Sequence, residues 1–283
     1  VHMILIDYNA VAISTFLASK MLPDEDSMRH MILNQIRIYR GRFQREYGEI
    51  CVVADNGTNN FRREIFPQYK AKRKKTRNES KVDWNEVYRC TDLVRDDIRD
   101  NFPYKVIHQE GCEADDAIAQ LCYETQEFGK HEPVMIISGD KDFLQLQTMK
   151  NVKQYSTVTK KFLVEPNPRL FLADHILKGD SSDGVPNVLS DDNVFVDERR
   201  QNTLTAKKKA MLMEDPSALG DEVLRNIHRN RKLIDLKECP EVVKQDITNN
   251  YDSQDPYHNR GKVFPYLIQK RCRLLIESVG EFI

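Results

Sequence analysis

The chain has 283 residues, 40% of them apolar and 31% charged, with a net charge of −1. That length suits one large domain or two ordinary ones. No run of about 18 apolar residues occurs, so a transmembrane helix is excluded, and no basic-then-apolar leader is expected. Val1-His2 before Met3 reads as a cloning remnant. Six cysteines without a CxxC or Cys/His pairing argue against a zinc site and for a reduced, cytoplasmic setting.

In chain order, residues 3–8 predict a buried strand. A helix follows over 27–47, with Met28, Met31, Ile32, Ile36, Tyr39 and Phe43 mostly three or four apart and Gly48 as its stop. Residues 50–54 predict a second strand. Residues 56–80 are basic and lack apolar periodicity, so a loop or mobile arch is expected. Helical spacing returns over 82–101. A strand at 104–108 leads to a helix from Glu113 to Phe128. A strand at 134–138 leads to a short helix near 142–147, and short strands are expected at 152–155 and 161–164. This alternation predicts an α/β fold with a mainly parallel central sheet flanked by helices.

After residue 166 the strand signals stop. Residues 168–178 predict a helix and 179–188 a loop. Several helices should fill 205–250 and 261–282, broken near Pro216, Pro240 and Pro256. The expected division is 3–165 as an α/β core with its basic arch, and 166–283 as a mainly helical lobe.

The hydrophobic strands run into acids: Asp7, Asp55, then Glu113, Asp115 and Asp116, then Asp140 and Asp142. In an open parallel sheet ligands bind at the carboxyl edge of the strands. Each acid has a local alternative as a helix cap or turn residue. Four caps need not share one sheet edge, however, and Asp180 and Asp183 add a further pair. Crowded carboxylates need a counter-charge, and all-oxygen donors suit Mg²⁺, with Mn²⁺ able to substitute. So many acids exceed the needs of one ion. Two ions about 3.5–4 Å apart suit phosphodiester hydrolysis.

Directly after the Asp55 strand, residues 62–77 carry eight Lys/Arg and one Glu. Arg62, Arg63, Lys72, Lys74 and Lys75 would attract a polyanion, Tyr69 would stack on a base, and Lys70 and Arg73 would reach the scissile phosphate. Lys70 is expected to be exposed. Lys178 and the run Lys207, Lys208 and Lys209 are further candidates for phosphate contact.

The order Asp7; Asp55; Phe61-Arg62-Arg63 with Pro67-Gln68-Tyr69-Lys70 and Arg73; Glu113-Ala114-Asp115-Asp116; Ser138-Gly139-Asp140-Lys141-Asp142; and Gly179-Asp180-Ser181-Ser182-Asp183-Gly184-Val185-Pro186 resembles the flap endonuclease/5′-nuclease family. The resemblance implies a PIN-like core, two Mg²⁺ ions, and an arch that passes a 5′ single strand. It implies 5′-to-3′ exonuclease and flap endonuclease action on branched or 5′-flapped DNA and on RNA–DNA hybrids during replication. It implies a monomer, with a single-strand-binding protein or sliding clamp as an optional partner. By motif position, Asp7, Asp55, Glu113, Asp115 and Asp116 would serve chiefly one ion. Asp140, Asp142, Asp180 and Asp183 would serve chiefly the other. One departure follows Pro186: Val188 to Phe195 stands where the family has a Gly-Ile-Gly turn, so a standard potassium-binding hairpin is not expected. Two other functions compete. A phosphomonoesterase wants a second acid two residues after Asp7, where Asn9 stands. A catalytically inactive binder of branched nucleic acid gains nothing from an anionic pocket.

Overall fold

A computed structural model describes residues 3–283; Val1 and His2, and the reading of them as a remnant, lie outside. Six strands form one sheet: β1 (Met3–Asp7), β2 (Glu49–Val53), β3 (Lys105–Ile107), β4 (Val134–Ile137), β5 (Val152–Ser156) and β6 (Lys161–Leu163), in the order β3-β2-β1-β4-β5-β6. All neighbours are parallel except β5 and β6. The unbroken apolar run of β1 follows from burial on both faces, because side chains alternate sides. Ile4 and Ile6 enter one core, while Met3 and Leu5 enter the other.

The first core packs the sheet against α1 (Tyr8–Ser19), α2 (Glu25–Tyr47) and α5 (Trp84–Asn101). α2 starts two residues before its predicted Ser27. The Asp24 carboxylate accepts the Ser27 amide hydrogen, and Glu25 and Asp26 favour the positive end of the helix. The second core lies under α6 (Ala114–Glu124) and the 3-10 segment Lys141–Thr148. The helix expected to reach Phe128 stops at Glu124 and gives way to a short 3-10 turn.

The basic stretch is no loose loop. It forms two short helices, α3 (Phe61–Ile65) and α4 (Arg73–Asn78). Phe66 and Tyr69, between them, sink into a third core with α7 (Pro168–Lys178), α8 (Ala206–Glu214) and α9 (Asp221–Ile234). The arch is therefore pinned at its base by apolar side chains that local periodicity does not reveal.

The second half does not stand apart. α10 (Glu241–Ser253) adds Ile247 and Tyr251 to the second core. α11 (Val263–Gln269), α12 (Arg273–Ile276) and the chain end add Tyr266, Leu275 and Phe282 to the first. The Tyr104 hydroxyl donates to the Phe282 carbonyl at 2.7 Å, and Arg29 donates to the Tyr266 hydroxyl at 3.0 Å. Residues 241–283 thus complete both helical layers around the sheet.

The divergent segment after Pro186 folds as a hydrogen-bonded loop. Arg229, buried in α9, donates to the Pro186, Asn187 and Ser190 carbonyls at 3.1–3.3 Å and to Asp192 at 2.7 Å. Asn230 donates to the Ile176 and Pro186 carbonyls, both at 2.8 Å. Side chains here hold the backbone that glycines would otherwise turn.

Candidate metal and nucleic-acid site

The chain reverses its direction of travel across the sheet between β1 and β4, and this switch point opens a crevice at the carboxyl edge. Asp7 ends β1 and Ser138 follows β4, so they face each other across it; the Ser138 hydroxyl donates to Asp7 at 2.6 Å. Parallel register brings the ends of β2 and β3 to the same edge, delivering Asp55 and the start of α6.

The capping and ligand roles weighed against each other in the sequence coexist. Asp55 accepts the Ala114 amide hydrogen at 2.9 Å, Asp140 that of Asp142 at 2.9 Å, and Asp180 that of Ser182 at 2.9 Å. Each bond uses one carboxylate oxygen and fixes where the other points. Carboxylate oxygens of Asp115, Asp140 and Asp142 lie within 4.8 Å of one another. Asp142 also belongs to a second set, with His175 and Asp180. Asp115 therefore lies close to the acids after β4, and Asp142 is common to both groups.

The crowding is electrostatically unfavourable. Burial, then the charges of Asp55 and Asp140, push Asp7 up to about 7. Burial and Asp140 push Asp142 up to about 7, against the pull of His175. Asp115 is raised well above its ordinary range by burial and by Asp140 and Asp7. Asp55 is exposed, yet the protein packed around it raises its pKa too. Four acids that resist ionisation at one edge form a site that a dication would satisfy. The donor set fits a metal ion on its chemistry: oxygens with fixed directions, beside a buried imidazole nitrogen, His175 Nδ1, that has no hydrogen-bond partner.

Asp116 stands apart from this group. It is 1% exposed and takes two hydrogen bonds from Arg62, both 2.7 Å, plus one from the Glu113 amide. Its oxygens are occupied, so its expected place among the ligands is corrected to a structural one. Arg62, 2% exposed, is corrected with it: the guanidinium faces Asp116 and the Leu233 carbonyl instead of a nucleic acid. Tyr69 is buried as well. Its hydroxyl lies within hydrogen-bond distance of Glu113 at 3.0 Å and of Asp183 at 3.2 Å, so it braces acids and offers no free ring face for a base.

Lys70 is 14% exposed, against the expectation of a free side chain. Its ammonium meets Glu113 at 2.5 Å and Asp183 at 3.7 Å. Its backbone is left-handed (φ 56°), held there by its amide donating to the Asp183 carbonyl at 2.7 Å. Such strain in a non-glycine residue persists only where surroundings enforce it, commonly at working sites. Arg73 meets the other oxygen of Asp183 at 2.5 Å. Burial would raise the Glu113 pKa, but Lys70 and Arg62 outweigh it and hold this carboxyl below its usual range. The two proposed phosphate-steering cations thus sit on the acidic edge, within one cluster.

The other basic candidates divide by exposure. Arg63, Lys72, Lys74, Lys75, Lys207 and Lys208 are exposed. Lys75 pairs with Glu198 at 3.4 Å. Lys178 and Lys209 both engage Asp174, at 2.7 and 2.6 Å.

Gly179 makes the turn that presents Asp180. Its φ is +71°, and a β-carbon there would lie 2.4 Å from the Val185 and Pro186 carbonyl oxygens. Gly179→Ala is expected to destabilise the fold by at least about 1–3 kcal/mol, read as a lower urea midpoint. Sequence reasoning missed Ser138, Asn60 and His175. Asn60 donates to Glu113 at 3.4 Å and accepts the Arg62 and Arg63 amide hydrogens. The only sequence signal for His175 was its place in the last helical turn before Gly179-Asp180.

A profile of the 5′-3′ exonuclease N-terminal resolvase-like domain matches residues 2–169, and one of the T4 RNase H C-terminal region matches residues 167–282. The chain belongs to the 5′-3′ exonuclease family. It is 31% identical to Ribonuclease H of Enterobacteria phage T4, over 98% of this chain and 95% of that one. A 5′-3′ exonuclease of Buchnera aphidicola is 28% identical over 62% of this chain and 61% of its own. Among solved structures, phage T5 5′-exonuclease with bound zinc superposes with a TM-score of 0.66 at 19% identity, covering 88% of this chain and 97% of that one. A T5 flap endonuclease complex with DNA and metal ions gives 0.60 at 20% identity, covering 89% and 99%. These likenesses establish the resolvase-like, PIN-like fold. No helix among the described residues is long and apolar enough to cross a membrane.

Proposed function

We propose that the protein is a metal-dependent 5′ nuclease that cleaves 5′-flapped DNA and RNA–DNA hybrids, removing primers and flaps during replication. The observation that carries the reading is the joining of two features at one edge. Asp115, Asp140 and Asp142 converge there, and Lys70 and Arg73 reach the same edge through Glu113 and Asp183. Phosphodiester hydrolysis needs a dication site and a cationic grip on the phosphate, and nothing about a pure binder requires the acids. The phage T4 relative named Ribonuclease H supports an RNA-containing substrate.

In this reading Asp7, Asp55, Asp115, Asp140 and Asp142 hold two dications, Mg²⁺ or Mn²⁺. Bound there, the ions supply a water of lowered pKa and charge neutralisation at the scissile phosphate. The chain's own groups do the rest. Lys70 and Arg73 turn from Glu113 and Asp183 to orient the phosphate. Ser138 fixes Asp7 through its hydroxyl. Arg63, Lys72, Lys74 and Lys75 draw the strand towards the crevice, and Lys207 and Lys208 hold the duplex side.

A 5′-labelled flap duplex tests this. Short 5′ products are expected with Mg²⁺ and none with EDTA. Cutting in EDTA overturns metal dependence, and binding without cutting in Mg²⁺ favours the inactive binder. Arg73→Ala, at a half-exposed position, is expected to slow cleavage by about 10²–10³ with an unchanged melting temperature.

A further inference from the structure

His175 lies in the last turn of α7 and faces the acids from the lobe side. Its Nδ1 stands 3.5 Å from an Asp142 oxygen and its Nε2 stands 3.4 Å from Asp180. Nδ1 is buried and lacks a hydrogen-bond partner. Phe171, one turn earlier, meets the imidazole edge-on at 5.8 Å and restrains its orientation. The other oxygen of Asp180 is fixed by the Ser182 amide and hydroxyl, so this carboxylate faces Nε2 from an anchored position.

We infer that His175 supplies Nδ1 as a nitrogen ligand to a dication shared with Asp142, while Asp180 orients the ring through Nε2. This rests on the metal-dependent reading above and deepens it. Nδ1 lies within ion-pair range of Asp142 but makes no hydrogen bond to it or to any other group. Two donors on one dication at about 2.0–2.1 Å stand roughly 3.0–3.4 Å apart, close to what Nδ1 and Asp142 show. A carboxylate on the second nitrogen is the common partner of a metal-bound histidine, since it fixes the tautomer and ring direction. Asp180 occupies that place.

The consequence is a change of metal preference. Carboxylates alone suit Mg²⁺, whereas imidazole favours first-row transition ions. One of the two sites should therefore take Mn²⁺ or Co²⁺ ahead of Mg²⁺, and the other, centred on Asp115 and Asp140, should not.

The test loads the full chain with Mn²⁺ and records electron spin-echo modulation from directly bound ¹⁴N, alongside Mn²⁺ titration in competing Mg²⁺. The wild type is expected to show imidazole nitrogen coupling and one Mn²⁺ that Mg²⁺ displaces poorly. His175→Gln and His175→Asn should abolish the coupling and weaken that ion by at least 10-fold, with the other ion unaffected. Asp180→Asn should keep the coupling but weaken binding by about 10–100-fold. Metal-free melting curves of all variants show that each is folded. Mn²⁺ binding without nitrogen coupling, or coupling that survives both His175 variants, overturns this inference alone. Failure of the wild type to bind any dication overturns the nuclease reading as well.

Discussion

Asp115→Asn is expected to lower flap cleavage by at least about 10²–10³ while making the metal-free protein more stable, because both effects come from the same crowding. Asp115 has Asp140 and Asp142 oxygens within 4.8 Å, and its carboxyl is raised well above the ordinary range by burial and by Asp140 and Asp7. Among the described residues no arginine pairs with it, whereas Asp116 has Arg62. Removing one charge relieves repulsion among the remaining acids. A gain of about 0.5–2 kcal/mol is the usual scale for relieving a destabilised functional site. For a chain this long each kcal/mol shifts the melting temperature by about 2–4 °C. Cleavage falls because the amide presents one neutral oxygen where the site needs charge. A variant that loses both activity and metal-free stability would show that Asp115 is structural.

The pH dependence has a definite sign. Asp7 and Asp142 keep their protons in the folded chain until about pH 7, while in the unfolded chain they lose them near the ordinary value of about 3.9. Between these limits the folded state binds more protons than the unfolded one. Stability of the metal-free protein from these groups therefore falls as pH rises. The penalty is absent below about pH 4 and complete above about pH 7. Scanning calorimetry of the EDTA-treated wild type across that range checks it, and the slope should be shallower in Asp115→Asn.

The acids and the strands beneath them were legible because one physical cause writes both. A sheet covered on both faces needs near-continuous apolar strands, and Met3 to Ile6, Cys51 to Val53 and Val134 to Ile137 show them plainly. Polar residues can appear only where such a strand ends, and there they stand out. The rest was settled by contacts remote in sequence. Phe66 and Tyr69 look like aromatics interleaved with charge, which suits stacking on bases. They are buried because α7 and α9 supply a core for them. Asp116 is one residue from Asp115 on the same helix, and only the approach of Arg62 from 54 residues away separates their roles. His175 carries only its place in the last turn of a helix, since a single histidine becomes informative only when its neighbours in space are known.

Removing Arg62 alone is expected to destabilise the protein by about 3–5 kcal/mol, the largest stability effect of any single change considered, because Asp116 would be left charged and buried. Arg62 makes two 2.7 Å bonds to Asp116, a 2.9 Å bond to the Leu233 carbonyl, and stacks 4.6 Å from the Phe61 ring. It therefore ties the start of the arch to α6 and to the end of α9. In Arg62→Met the urea midpoint should fall sharply. Adding Asp116→Leu should recover most of the loss, since an apolar pair of similar volume avoids the desolvation of two ions. A phosphate-binding Arg62 would behave differently. Its loss would leave the midpoint in place and reduce the salt dependence of DNA binding by about one unit of slope. The double variant also separates fold from chemistry. Asp116→Leu takes away the carboxylate that bonds the Glu113 amide at the start of α6, and Asp115 lies in that same first turn. A stable double variant with slow cleavage would mean that Asp116 acts by aiming Asp115 and Glu113, while a stable and fully active one would limit Asp116 to holding the arch against the core.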